Sequence, residues 1–205
     1  MAEYWTCCLV HHGIMGQKWG HRNGPPYPLS PSDHSASERV FISGSSKTQF
    51  KDNPYYRKKL PRTVRAEIKK SMKNKDTIMV GDAPGIDRQV QDYLNKKKYK
   101  NVEVYSPGKE SRYLANKNWK NEKIDDPDHE PMSSEWLAKK DKVMSDRATK
   151  GIAVILDEGS QATRNNINRL IEANKDVKIY QLNKNKKLDN WMKTEEYKKL
   201  MNKTL

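Results

Sequence analysis

Residues 151–160, GIAVILDEGS, decide the fold that the sequence predicts. The first six residues are apolar or small without a polar interruption, and an acidic turn that contains glycine and serine follows them. Strict alternation of apolar and polar residues is typical of a strand with one solvent face. A continuous apolar run instead indicates a strand that helices cover on both faces, as in parallel sheets. The sequence therefore predicts a buried parallel strand at residues 151–156.

Four other β-prone runs accompany this strand, and they are Arg39–Ser43, Thr77–Val80, Asn101–Tyr105 and Val177–Leu182. Helical patterns lie between the runs, and the clearest apolar stripe consists of Leu60, Val64, Ile68 and Met72. Further helices are predicted over Asp87–Lys98, Ser134–Thr149 and Thr163–Asn174. Strands and helices that alternate along a chain pair in parallel through right-handed crossovers. We therefore expect an α/β, Rossmann-like three-layer domain with a mainly parallel five-stranded sheet over residues 37–184.

Three segments fall outside this alternation. Residues 1–36 are predicted to be an irregular tail, in which residues 9–20, LVHHGIMGQKWG, form a docking peptide for an unidentified protein and residues 24–32 form a proline-rich linker. Residues 107–132 are polar and have no apolar period, so we expect a lid, a binding loop or a disordered connection. Residues 185–205 are predicted to be a C-terminal helix.

Composition excludes several classes of protein. The chain has 205 residues, of which 34% are hydrophobic and 32% are charged, so it can form one domain with short extensions. It contains neither an apolar run of about 18 residues nor the pattern of a secretory signal, and we expect no membrane association. Cys7 and Cys8 are adjacent and cannot form a disulfide framework, which favours a cytoplasmic protein. The five histidines lack the spacing of a metal site.

The positive charge is concentrated in one segment. The net charge of the chain is +14, and residues 47–75 carry eleven lysines and arginines against Asp52 and Glu67, which is +9. Much of this charge falls on the side of the first helix opposite its apolar stripe. Such a segment either attracts phosphates or nucleic acid, or is a solvated helix face.

A ligand site is predicted at the carboxyl ends of the strands, where open parallel sheets bind their ligands. Small residues follow four of the five runs, and the turn at residues 159–163 begins a helix, whose free N–H groups and positive dipole end attract phosphate. Asp82 is expected to contact ribose hydroxyls, and Asp87 either caps a helix or contacts the ligand. The candidate ligand-binding residues are Gly44, Ser45, Ser46, Gly81, Asp82, Ala83, Asp87, Ser106, Gly159, Ser160, Thr163 and Arg164.

Four motifs give residues 37–184 a resemblance to a known family. They are Ile42–Ser45, Gly81–Asp87, Lys140–Met144 and Asp157–Thr163. With these motifs the domain resembles the SLOG superfamily, which includes the DNA-processing Smf proteins and the Lonely Guy cytokinin-activating enzymes. The resemblance implies a Rossmann-like fold that binds nucleotides or their derivatives, and some branches of the family sense molecules derived from NAD.

The resemblance also bears on catalysis. Members of the family that cleave a base from a nucleotide carry a Gly-Gly-x-Gly-Thr-x-x-Glu loop with a catalytic glutamate. Asn166 occupies the position of that glutamate here, and Ala162 replaces the glycine of the Gly-Thr pair. An amide can neither act as a general base nor stabilise an oxocarbenium ion by charge. No other catalytic set is recognisable, so the sequence argues against hydrolysis.

The leading hypothesis is a binding protein that senses or sequesters a nucleotide- or NAD-derived molecule of the ADP-ribose or cyclic ADP-ribose type, without a required cofactor or metal. The segment HHGIMGQKWG (residues 11–20) is similar to one found in phage and prophage proteins of Gram-positive bacteria. It suggests a phage-encoded anti-defence protein of the bacterial cytoplasm, delivered with the particle, and we expect a homo-oligomer. One alternative is an N-glycosidic hydrolase in which Asp82, Asp87 or Glu158 replaces the missing glutamate. The other is an Smf-like nucleic-acid-binding protein that uses residues 47–75.

Overall fold

The computed structural model describes residues 37–46, 59–155, 161–181, 190–192, 195 and 198–199. The predicted docking peptide and linker, the first part of the basic segment, and the candidate residues Gly159 and Ser160 lie outside these ranges. The predictions that concern them stay predictions.

The domain has a seven-stranded sheet in the order β4-β3-β2-β1-β5-β6-β7. The strands are β1 (Arg39–Gly44), β2 (Thr77–Gly81), β3 (Val102–Pro107), β4 (Lys120–Ile124), β5 (Lys150–Ile155), β6 (Asp176–Gln181) and β7 (Asn190–Met192). The helices of the described ranges are α1 (Arg62–Lys73), α2 (Ile86–Lys96), α3 (Ser134–Arg147) and α4 (Gln161–Glu172). Strands β1 to β6 pair in parallel, and β7 pairs with β6 antiparallel. The predicted Rossmann-like α/β class is confirmed, with six parallel strands rather than five.

Helices cover both faces of the sheet, which explains the continuous apolar strands. On one face α1 and α2 pack against Val40 and Ile42 of β1, and on the other face α3 and α4 pack against Phe41. The predicted stripe of α1 is confirmed, because Val64 and Ile68 are fully buried. No helix in the described part of the chain is long and apolar enough to cross a membrane.

Strand β4 occupies part of the segment for which a lid, a binding loop or disorder was predicted. It pairs with β3 at the edge of the sheet, where its sequence KNEKI leaves Lys120 and Lys123 exposed and buries no residue fully. Trp119, directly before the strand, is buried, and its Nε1 donates a hydrogen bond to the carbonyl oxygen of Tyr99 at 2.9 Å. An edge strand pairs with a neighbour on one side only and needs few apolar residues, so its sequence shows no strand pattern.

Strand β7 occupies residues for which a helix was predicted. Trp191 pairs with Tyr180 of β6 in the antiparallel register. The helical residues that the structure describes beyond it are Glu195, Lys198 and Lys199. Residues 190–192 are therefore not part of the predicted C-terminal helix, because pairing with the sheet edge outweighs their local preference.

Three helices end in a left-handed residue that is not glycine. These residues are Lys75 after α1, Lys98 after α2 and Asn174 after α4, with φ values of 61°, 54° and 54°. At the end of α2, the Lys98 N–H donates to Asn95 O at 2.9 Å and the Tyr99 N–H donates to Leu94 O at 3.1 Å. This pair of bonds defines a Schellman motif, in which glycine is the usual left-handed residue.

Lys98→Gly should therefore stabilise the domain by about 1 kcal/mol, because a side chain is unfavourable in the left-handed region. Lys98 is exposed, so the substitution removes no buried contact. Urea unfolding measures the gain. Lys97 has a right-handed φ of −84°, so Lys97→Gly should give no gain, and equal effects of the two variants would contradict this account.

Candidate functional site

A cavity of about 260 Å³ opens where the strand order changes direction. The chain runs outward from β1 through β2 and β3 to β4, and then returns to place β5 on the other side of β1. Parallel sheets leave a crevice at such a switch point, beyond the carboxyl ends of the strands. The cavity is lined from β1, β2, the start of α2, α3 and the start of α4.

The structure brings most of the predicted site residues together at this cavity. Those that line it are Gly44, Ser45, Ser46, Gly81, Ala83, Asp87 and Thr163. Asp82, Ser106 and Arg164 are described by the structure but do not line the cavity. Whether any of these residues contacts a ligand stays a prediction.

Asp82 and Ser106 hold the segment that follows β3. The carboxylate of Asp82 is fully buried and accepts two hydrogen bonds from Arg112, at 2.9 Å from its backbone N–H and at 2.5 Å from Nη2. The hydroxyl of Ser106 donates to Ser111 Oγ at 2.7 Å. Because Arg112 itself lines the cavity, Asp82 fixes one part of the wall through a charge-assisted pair.

The two strand-end glycines allow side chains to approach the backbone closely. A Cβ atom on Gly44 would lie 2.7 Å from Ile86, the first residue of α2. A Cβ atom on Gly81 would overlap Asp87 Oδ2 and lie 3.1 Å from Lys140 Nζ. The glycines were expected to let a ligand approach, and in this structure they admit α2 and two charged side chains.

Asp87 is a buried carboxyl group with an unusual protonation equilibrium. Its helix is capped at Gly85, where no side chain makes a capping hydrogen bond, so Asp87 does not have the capping role that the sequence left open. Burial raises its pKa to about 7, Lys140 opposes the rise, and Asp141 and Asp82 add to it. A proton is therefore gained or lost inside the cavity near neutral pH.

Lys140 provides a buried positive charge in the same cavity. Burial by itself favours the neutral amine, but the charges of Asp141 and Asp87 outweigh that effect and raise the pKa of Lys140 above its ordinary value. Its Nζ forms an ion pair with Asp141. A lysine that stays charged while buried interacts strongly with the carboxylates beside it and with any anion in the cavity, because little water screens it.

Asn166 connects three elements of the site. Its Nδ2 donates to Ser43 Oγ at 3.0 Å and to Asp141 Oδ2 at 3.1 Å, while its Oδ1 accepts a hydrogen bond from Arg169 at 2.8 Å. The amide thus orients the carboxylate of Asp141. A glutamate at this position would instead place a second carboxylate against Asp141.

The sequence prediction missed several residues of the cavity. Lys140 and Asp141 belong to one of the motifs that carry the family resemblance, so adjacent opposite charges before a buried strand were an available signal. Arg112 lies in a long polar segment and reaches the site only because Asp82 binds it. Its contribution could not be read from local sequence.

The fold and the cavity define a Rossmann-like α/β protein with a polar site at the switch point of its sheet. No family model matches the sequence, and no curated protein is detectably similar to it. The resemblance to the SLOG superfamily accordingly stays a prediction from the four motifs. Among the residues that the structure describes, no group of three or more histidine, cysteine, aspartate or glutamate side chains could hold a metal ion.

Proposed function

We propose that the cavity binds a nucleotide-derived small molecule of the ADP-ribose or cyclic ADP-ribose type, which the protein senses or sequesters. One observation carries this proposal: the first residues of α4, a charged buried lysine and two carboxyl groups converge on a single cavity. A phosphate group needs N–H groups and a positive charge, and a sugar needs hydrogen-bond acceptors such as carboxyl groups. The cavity presents both kinds of partner side by side.

The phosphate would bind at the beginning of α4. Gln161, Ala162 and Thr163 line the cavity, and they belong to the first turn of a 12-residue helix. The N–H groups and the dipole of such a turn attract anions. The side chain of Thr163 is buried there and supplies a hydroxyl group, and Lys140 supplies a full positive charge.

The sugar would bind on the carboxyl groups. Asp87 and Asp141 both line the cavity, and carboxylate oxygens accept hydrogen bonds from ribose hydroxyls in other switch-point sites. The volume of about 260 Å³ is slightly below the range of about 300–1,000 Å³ that is usual for small-molecule sites. We therefore expect the cavity to enclose one phosphate–sugar unit rather than a whole dinucleotide.

Ala162→Glu tests the phosphate position without disturbing the core, because Ala162 is exposed. A glutamate in the first turn is favourable for the helix dipole but repels a phosphate bound there. Isothermal titration should show binding of ADP-ribose, NAD or a cyclic ADP-ribose isomer to the wild type, and affinity about tenfold or more lower for the variant.

The matched control is Ala173→Glu, the same substitution just after the other end of α4. It should bind as the wild type does. Binding by none of these ligands to the wild type would overturn the proposal, and equal losses in the two variants would overturn the assigned phosphate position. Mass spectrometry of the small molecule that co-purifies with the protein would identify the ligand directly.

A second candidate function is hydrolysis of an N-glycosidic bond, and the raised pKa of Asp87 favours it. A carboxyl group whose pKa is about 7 can donate or accept a proton at neutral pH, which is what a general acid or base requires. Incubation with nucleoside monophosphates or NAD, followed by chromatography, distinguishes the two functions. Released base or nicotinamide supports hydrolysis, whereas an intact ligand supports binding alone.

A further inference from the structure

A second cavity, of about 330 Å³, lies between α1 and α2. Both helices cover the same face of the sheet. Among the residues that the structure describes, this cavity shares no lining residue with the switch-point site. It is therefore a separate feature, and the function proposed above does not use it.

The lining of this second cavity is strongly positive. Its cationic residues are Lys59, Arg65, Lys96 and Lys97. Asp92 is the one acidic residue among its described lining residues, so four cations and one anion give +3. Asp92 also accepts a hydrogen bond from the hydroxyl of Tyr113. A concave surface with this charge concentrates anions.

Among the buried polar atoms that have no hydrogen-bond partner within the described ranges are Arg65 Nε and the hydroxyl oxygen of Tyr93, which belong to residues that line the cavity. Buried polar groups in folded proteins nearly always have partners, so an orphaned pair at one cavity points to a ligand. Burial also raises the pKa of Tyr93, and Arg65 opposes the rise, so the tyrosine remains a neutral hydroxyl that can donate.

Part of the remaining wall is apolar. Leu60 is buried in the core cluster, and the ring of Tyr93 packs against the same cluster. A site that combines a guanidinium group, lysines and an aromatic ring suits a phosphate group that carries an organic part, because arginine binds phosphate through directed N–H groups and tyrosine contacts flat apolar surfaces.

We propose that the cavity between α1 and α2 is a second anion site, which takes a phosphate ester. The phosphate binds the guanidinium group of Arg65 with Lys96 and Lys97, and the organic part lies against Tyr93 and Leu60. A free nucleotide and a nucleic-acid strand both present this group. The site gives Arg65 of α1 a specific role, together with Lys96 and Lys97 at the end of α2, which lie beyond the basic segment of the sequence.

The Arg65 Nε–H resonance in an NMR spectrum of the full chain reports directly on the site, and it is assigned by its loss in Arg65→Lys. Added AMP should shift this resonance in a saturable manner. The double variant Lys96→Glu/Lys97→Glu should weaken the binding about tenfold or more, because two attractive charges become repulsive. The control Lys123→Glu/Lys142→Glu reverses two exposed lysines outside the cavity lining and should change little.

A second titration, with an oligothymidylate, distinguishes the two sources of the phosphate ester. If the oligothymidylate produces a saturable shift at a lower phosphate concentration than AMP does, the site is assigned to a nucleic-acid strand. If AMP acts at the lower phosphate concentration, the site is assigned to a free nucleotide. Ala162→Glu should leave the shift intact, which separates this site from the switch-point cavity. Absence of a shift with both probes, or equal weakening by the control variant, would overturn the proposal.

Discussion

Replacing Asp87 with asparagine should abolish a loss of stability that the wild-type protein undergoes as pH rises from about 4 to about 7. In the unfolded chain this carboxyl group has its ordinary pKa of 3.8, whereas burial raises the pKa in the folded protein to about 7. Within this window the folded state binds more protons than the unfolded state. The free energy of unfolding therefore falls as pH rises.

The size of the effect follows from the two pKa values. Their difference corresponds to about 4 kcal/mol, which is a large part of the stability of an ordinary domain. Below about pH 4 Asp87 is protonated in both states and contributes nothing. Above about pH 7 it is ionised in both, and the folded protein bears the full cost of a buried carboxylate beside Asp141 and Asp82.

Asparagine has nearly the shape of the protonated carboxyl group and does not titrate, so Asp87→Asn should be more stable than the wild type at pH 8 and similar to it at pH 4. Urea unfolding at several pH values measures the difference, in which titrating groups that do not interact with Asp87 cancel. Asp146→Asn, an exposed position on α3, is the matched control and should run parallel to the wild type. A constant difference between Asp87→Asn and the wild type would show that Lys140 keeps the carboxylate ionised.

The same protonation step should affect ligand binding. When Asp87 is protonated, the cavity loses one negative charge while Lys140 keeps its positive charge. A phosphate-bearing ligand should consequently bind more tightly at pH 6 than at pH 8. A buried carboxyl group that destabilises the fold at neutral pH is typical of a site whose chemistry the protein uses.

The parts of the fold that were predictable are those where burial leaves a local pattern. Strand β5 is covered on both faces, and its unbroken apolar run identified it. The stripe that includes Val64 and Ile68 identified α1 in the same way. Strand β4 lies at an edge and needs few apolar residues, so only its position beside β3 makes it a strand.

The same distinction applies to the candidate site, of which only the residues at strand ends were predictable. Strand ends were predictable because the topology of a parallel sheet brings them together, and Gly81, Asp87 and Thr163 indeed line one cavity. Lys140 is buried in the middle of a helix whose sequence is mainly polar. The effect of its charge depends on Asp87 and Asp141, which packing places beside it. Contacts of that kind arise from helix packing, which no spacing along the chain encodes.

Gly85→Ala should destabilise the domain strongly. Gly85 caps α2 with a φ of +89°, a conformation that side chains rarely adopt, and the strain costs about 1–3 kcal/mol. Its Cβ atom would also overlap the carbonyl oxygen of Ser45 and lie 2.6 Å from Ser46 Cα. These are backbone atoms that no rotamer change can move, so overpacking adds about 1–3 kcal/mol.

Urea unfolding of Gly85→Ala should therefore show a loss of about 2–6 kcal/mol, which brings the domain close to its stability limit. Gly151→Ala is the matched control, because its Cβ atom would meet Leu170 Cδ1, the end of a side chain that can move, and we expect a loss of about 1 kcal/mol. Equal losses would refute the strained cap. The Ser45 carbonyl oxygen accepts a hydrogen bond from the N–H of Ile86 at 3.1 Å. Displacing this carbonyl group would break the bond and move α2 away from the turn after β1. Because Ser45 and Ser46 line the cavity, the cavity wall would open there.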